Sequence, residues 1–226
     1  MTIASSLRHA AKPPYSLAST DAMRKILLVL CSLLLAPAAP AATLGDAQVG
    51  FSADRTLVID GHTYLGKIWA MPGKERHEQA IQGFDPVFLL RTDSPLAEIV
   101  LAKLKTVVQF AIPSELRVLG SSELKKHPIG QDTVNGVATT KYAIDQSVPE
   151  GQAKGTLWLS RDGIPMKLAG TFTGQKGKVS TVRWELSHVQ IGPQPASLFE
   201  PPPGLSKLPP EAVAPLLGLK LKSAKQ

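Results

Sequence analysis

Residues 155–170 read GTLWLSRDGIPMKLAG, and what they build decides the fold. An Asp-Gly step, Asp162-Gly163, lies between two apolar runs, Gly155 to Ser160 and Met166 to Thr173. Strand-like runs flanking a turn dipeptide spell a β-hairpin. The charged pair Arg161 and Asp162 then sits at the tip, where the Asp carboxylate is expected to accept backbone N–H groups. The competing reading, a reactive loop, needs a partner such as His188, and any Asp and His of one sheet meet that requirement.

Working outward, Val179 to Ile191 is the clearest strand. Ser180, Val182, Trp184 and Leu186 face one way, and Val179, Thr181, Arg183 and Glu185 the other, the period-2 pattern of a sheet with one buried face. Thr139 to Asp145, after the hairpin signal Asn135-Gly136, places Thr140, Tyr142 and Ile144 on one face. Upstream, Val49, Phe51 and Ala53 alternate with polar residues. Arg55 to Ile59 turns at Asp60-Gly61 into Thr63 to Met71, and Pro72-Gly73 leads to Glu75–Ile81. Gly83-Phe84-Asp85-Pro86 is a further turn before Val87 to Leu90. Gly66-Lys67-Ile68-Trp69 and Gly155-Thr156-Leu157-Trp158 share a form, which suggests two similar hairpins in one antiparallel sheet.

Two stretches resist this reading. Residues 94–110, SPLAEIVLAKLKTVVQF, begin with a good helix start at Ser94-Pro95, yet Val100, Val107 and Val108 favour extended chain. Periodicity leaves helix and hairpin open. Ser114 to Lys126 is the better helix candidate, interrupted at Gly120. Beyond Gly192 the prolines of PQPASLFEPPPGLSKLPPE end the sheet or run along its edge. Residues 210–221 suit either a short amphipathic helix or a loosely held tail.

The first 42 residues are set apart from the fold. Arg24 and Lys25 precede the apolar run Ile26 to Leu35, and Ala-Pro repeats follow, the order of a cleaved export signal. Translation is expected to start at Met23, with cleavage after Ala41 or Ala42. Cys31 is the single cysteine. It follows Leu28-Val29-Leu30, not the small residue that lipidation needs, so a non-lipidated chain without disulfide or thiol chemistry is expected. The full chain of 226 residues carries a formal charge of +7. Removing Arg8, Lys12, Arg24, Lys25 and Asp21 leaves 21 basic and 17 acidic residues, or +4. That mild excess fits a solvated surface, and no motif points to nucleic acid.

Catalytic and metal chemistry find no foothold. His62, His77, His127 and His188 are spaced singly, without His-x-His or HExxH. Glu75 and Glu78 flank His77, and strand alternation is expected to part neighbours. No Gly-x-Ser-x-Gly elbow or phosphate-cradling glycine loop occurs, so neither an enzyme nor a cofactor is expected. More informative are Trp69, Trp158 and Trp184, all mid-strand, which either pack a core or line an apolar concavity.

The order of motifs carries a resemblance. Gly66-Lys-Ile-Trp69-Ala-Met-Pro72-Gly-Lys-Glu-Arg76 is followed by Leu89-Leu-Arg91-Thr-Asp93, Val134-Asn-Gly136 with Lys141-Tyr142, and Gly155-Thr-Leu-Trp158 with Gly163-Ile-Pro165. Ser197-Leu-Phe199-Glu-Pro201-Pro-Pro-Gly204 closes the run. Over roughly residues 47–205 the chain resembles the periplasmic lipoprotein-carrier-like superfamily (LolA/LolB/RseB-like), above all its uncharacterised exported members. The resemblance implies a mainly β (α+β) fold, an open antiparallel half-barrel of many strands with short helices over its concave face. It also favours strands at Ala97–Leu101 and Thr106–Phe110.

The implied layout is an upstream extension and signal over 1–42, a LolA-like half-barrel domain over 43–205 and a tail over 206–226. The implied function is a periplasmic, non-catalytic, monomeric carrier of a lipid or acyl chain, without a transmembrane anchor. The alternative is an envelope module that recognises a protein partner. Candidate cavity residues are Trp69, Trp158, Met166, Leu168, Phe172, Val182, Trp184 and Leu186, which alternation forbids from all facing one way. Two departures stand out. The carrier's opening amphipathic helix has no counterpart, and Met71 occupies the place of the Arg before the carrier's matching proline. Its opening and closing cycle is therefore not carried over.

Overall fold

A computed structural model describes residues 47–79, 85–91, 94, 96–111, 124–148 and 151–213. The export signal with Cys31, most of the helix expected over Ser114 to Lys126, the turn at residue 83 and the tail beyond residue 213 lie outside them.

The described chain is one sheet of twelve strands. These are β1 (Phe51–Ile59), β2 (His62–Met71), β3 (Lys74–Gln79), β4 (Val87–Arg91), β5 (Leu96–Leu101), β6 (Thr106–Ala111), β7 (Lys126–Val134), β8 (Val137–Val148), β9 (Gly151–Ser160), β10 (Pro165–Gly174), β11 (Val179–Ile191) and β12 (Ser206–Leu208). Two antiparallel meanders, β1 to β6 and β7 to β11, join where β1 pairs with β11. The result is the open antiparallel half-barrel. Residues 96–111 form a hairpin, resolving the ambiguous stretch.

Local chemistry explains the turns. Asp60 and Gly61 have φ of 48° and 82°, and Asn135 and Gly136 repeat those values. Positive φ at both centres gives the twist that right-handed strand pairs need. At the quoted hairpin the tip differs from expectation, because Ser160, not Asp162, does the capping. Its Oγ accepts from the backbone N–H of Asp162 at 3.2 Å and of Ile164 at 3.1 Å. A serine at the strand end thus satisfies two donors, the role expected of an Asp two residues later.

Curvature comes from glycines. A Cβ on Gly66 would stand 2.2 Å from the Glu78 carbonyl oxygen, and one on Gly155 2.5 Å from that of Ala169. Neighbouring backbones close in on that side of each glycine, so the sheet folds sharply toward the face bearing Gly66 and Gly155. We call this the inner face.

Two tryptophans three residues beyond these glycines lie on the outer face. Each stands directly across from a cation, Trp69 from Arg76 and Trp158 from Lys167. The Arg76 guanidinium carbon lies 5.8 Å from the Trp69 ring centroid, and Lys167 Nζ 5.4 Å from that of Trp158. The repeated Gly-x-(Ile/Leu)-Trp is thus a bend on one side and a cation–π contact on the other.

After β11, Gly192 donates to the Gly50 carbonyl, and the proline-rich segment crosses the outer face of β3 to β6. A 3-10 turn at Ala196–Phe199 buries Phe199 completely. Arg76 Nη1 donates to the Leu198 carbonyl at 3.0 Å, and Arg91 Nη1 reaches Glu200 at 2.8 Å. Leu205 packs on Leu89, Val100 and Val107. The strap ends as β12, pairing parallel with β6 at the sheet edge. A four-residue helix, α1 (Pro210–Val213), follows. The main core gathers Phe51, Ala53, Ile68, Ala70, Val134, Ile164, Met166 and Leu186.

Candidate functional site

The inner face of β1 to β3 holds a buried polar relay. Arg55, Glu75, His77 and Gln79 are 8%, 8%, 6% and 6% exposed. Their assembly follows from register: Arg55 stands opposite Gly66, and Gly66 opposite Gln79, so the guanidinium crosses β2 where no side chain blocks it. Arg55 Nη2 donates to Gln79 Oε1 at 2.6 Å, and Gln79 Nε2 donates to the Leu65 carbonyl at 3.0 Å. Arg55 Nη1 lies 2.6 Å from His77 Nδ1, and His77 Nε2 lies 2.7 Å from Glu75 Oε2.

Donor chemistry assigns the proton. Guanidinium only donates, so Nδ1 of His77 accepts, and the neutral imidazole carries its hydrogen on Nε2, which donates to Glu75. Burial pushes the imidazole below its ordinary value. The Glu75 hydrogen bond opposes that push and the Arg55 charge reinforces it. Burial also lowers Arg55 to about 10, with Glu75 pulling the other way. Arg55 therefore stays charged at neutral pH and His77 neutral. One donor is unspent, because the buried Arg55 Nε has no acceptor.

Sequence reasoning misses this relay. It expects Glu75 to part from His77, but residues two apart in a strand share a face, and only Glu78 points away. The signal is legible as Glu75-x-His77-x-Gln79, three polar residues on one face of a buried strand.

Apolar side chains continue the inner face. Leu57 pairs across with Trp184 on β11, which pairs with Leu168 on β10, which pairs with Leu157 on β9. Four strands therefore carry one apolar row. The His77 and Trp184 rings approach to 6.5 Å although β1 and β2 separate their strands. Three strand spacings on a flat sheet are about 14 Å, so this contact also requires an inward curl. In the next row Gly155 and Gly170 lie between Ile144 and Val182, which leaves the floor low there.

The eight expected cavity residues divide. Leu168, Phe172, Val182 and Trp184 are half-buried on the inner face. Met166 and Leu186 are fully buried in the core. Trp69 and Trp158 lie on the outer face, where Trp158 Nε1 donates to Asp132 Oδ2 at 3.0 Å. Trp184 Nε1 donates to the Pro165 carbonyl.

His188 does not pair with Asp162. At φ 51° in a bulge of β11, it meets Asp54 at 2.9 Å on the exposed surface. No group of three or more His, Cys, Asp or Glu among the described residues is arranged to hold a metal. Among them, no helix is long and apolar enough to cross a membrane.

Comparison with known proteins bears on the fold. No family model matches the chain, and no curated protein matches it in sequence. Among solved structures, an uncharacterised conserved protein from Thermus thermophilus superposes with a TM-score of 0.50 at 14% identity, over 73% of this chain and 92% of that one. MucB in complex with MucA(peri) gives 0.44 at 18% identity, over 71% of this chain and 56% of MucB, so the chain spans little more than half of that protein. A LolA superfamily protein from Nitrosomonas europaea gives 0.38 at 8% identity, over 78% and 97%. The first of these is a likeness of fold.

Proposed function

We propose that this protein is a periplasmic, non-catalytic carrier that holds a lipid-like ligand, an acyl chain, against the inner face of its half-barrel. The observation that supports this reading is the continuous row Leu57, Trp184, Leu168, Leu157 beside the half-buried Val182 and Phe172, all on the concave side. Apolar surface gathered inside a curve gains about 25 cal/mol for each Å² of ligand removed from water, before ordering costs. The low floor at Gly155 and Gly170 gives a chain room to lie across the strands.

Native mass spectrometry of the exported chain, extracted without delipidation, tests the reading. Bound lipid, and saturable binding of a fluorescent fatty-acid probe after delipidation, are the expected results. A ligand-free protein that also ignores the probe would overturn it. The rival use of the same half-barrel, gripping an envelope protein, would show as a co-purifying polypeptide in the same spectra. Two features argue against docking at the sheet edges. The β6 edge is already occupied by β12, and β7 carries Pro128 and a bulge that discourage strand addition.

A further inference from the structure

The apolar row of the inner face ends at the relay. Leu57 stands two residues from Arg55 on the same face of β1, and Trp184, across from Leu57, touches His77 from above β11. Resting on the acyl-chain reading, we propose that Arg55 receives the carboxylate head of a fatty-acid-like ligand, and that His77 takes up a proton when the head binds.

The chemistry follows from donors and charge. Arg55 is more than nine-tenths buried, and its Nε has no acceptor. Nη2 and Nη1 are engaged by Gln79 and His77, so Nε–H is the donor left over, and a carboxylate oxygen accepts from it with the added strength of a charge-assisted hydrogen bond. A neutral alcohol or an ester oxygen brings no charge to that hydrogen bond.

Charge then brings in His77. In the free protein Arg55 and Glu75 offset each other through a neutral imidazole. A bound carboxylate adds one negative charge to a buried site, which a proton on His77 Nδ1 restores to neutrality. With that proton in place Nδ1 no longer accepts from Arg55 Nη1, and both Nη1 and the new Nδ1–H are left as donors for the bound carboxylate. No other titratable side chain opposes His77 among the described residues. β2 contributes Ile68, β4 Phe88 and β11 Trp184, while Arg55 and Glu75 supply the charges. The proton comes from solvent, and no covalent bond changes.

The test is titration calorimetry of the delipidated protein with dodecanoate and with dodecanol at pH 6, 7 and 8, where a carboxylate remains ionised. Dodecanoate is expected to bind at least tenfold more tightly than dodecanol at pH 6. Its affinity should rise toward tenfold for each unit of falling pH, and that of dodecanol should not change. Repeating the titration in two buffers of different ionisation enthalpy should show close to one proton taken up per dodecanoate. This measurement needs no variant. Arg55→Gln should bring dodecanoate down to the level of dodecanol, and His77→Gln should remove the pH dependence while keeping the preference for dodecanoate. Equal binding of the two ligands, or no proton uptake by the unaltered protein, overturns the proposal and leaves the acyl-chain reading intact. Failure of both ligands to bind overturns the two together.

Discussion

The inner face is one continuous surface, yet its two flanks are built on opposite principles. On β8 to β10, Ile144, Leu157 and Leu159 bury apolar groups with Leu124, and no charged side chain is buried among them. On β1 to β3 the same face buries a guanidinium, an imidazole, a carboxylate and a carboxamide. The apolar flank is stabilised in proportion to the area it hides, and loses stability gradually as that area is trimmed. The polar flank depends on every partner being present, because a buried charge without its counterpart costs more than the intact pair contributes. A structural core could have been apolar throughout. The difference is that Arg55 and His77 bring charge and proton chemistry to one flank of a face whose other flank is apolar.

Breaking the polar flank should have the larger effect. Arg55→Met removes one member and strands Glu75, so urea unfolding is expected to show a loss of about 3–5 kcal/mol. Adding Glu75→Leu and His77→Leu to that variant should recover most of the loss, since the apolar replacement leaves no orphaned charge. If the triple variant is no more stable than the single, the two flanks do not differ in the way described. On the apolar flank, Leu157→Ala should cost roughly 2–4 kcal/mol, and no companion substitution of a charged residue should restore it.

The finest distinction is in pH. The His77 imidazole titrates lower folded than unfolded, so the unfolded chain binds the proton first as pH falls. Stability owed to the neutral imidazole is complete above the unfolded value of about 6.5 and declines below it, by at most about 1.4 kcal/mol per pH unit. Melting curves between pH 5 and 7 should slope for the natural chain, flatten in His77→Gln, and slope unchanged in Leu157→Ala. Losses from the carboxylates held low, such as Glu185 beside Lys167, begin at more acidic pH and stay outside this window.

Legibility in the sequence tracks the number of buried faces. β11 alternates openly because its outer side meets water, so alternation alone assigns Val182, Trp184 and Leu186 to one face. β5 and β6 alternate poorly because both faces are covered. Val100 and Val107 lie under Leu205 of the strap, while Leu101 and Val108 pack together on the inner side. A strand apolar on both sides loses its period, and it then looks like a helix. β7 escapes notice for the opposite reason. From His127 to Thr133 it is exposed throughout, Ile129 included, so no buried apolar residue marks a face. The candidate site is half legible. Leu168, Val182 and Trp184 follow from alternation, whereas Trp69 and Trp158 stand out by size alone and lie on the far side of the sheet.

By itself the sequence determined the strands with one wet face, the turns at Asp60-Gly61 and Asn135-Gly136, and the echo of two like hairpins. These depend on neighbours within a few residues, whose backbone preferences and alternation are local. Only the tertiary structure decided that Arg55 of β1 meets His77 and Gln79 of β3. That contact needs a glycine at position 66 of the strand between them and a curl that brings β11 overhead. Pairings of this kind cost no local rule anything, so no local rule announces them.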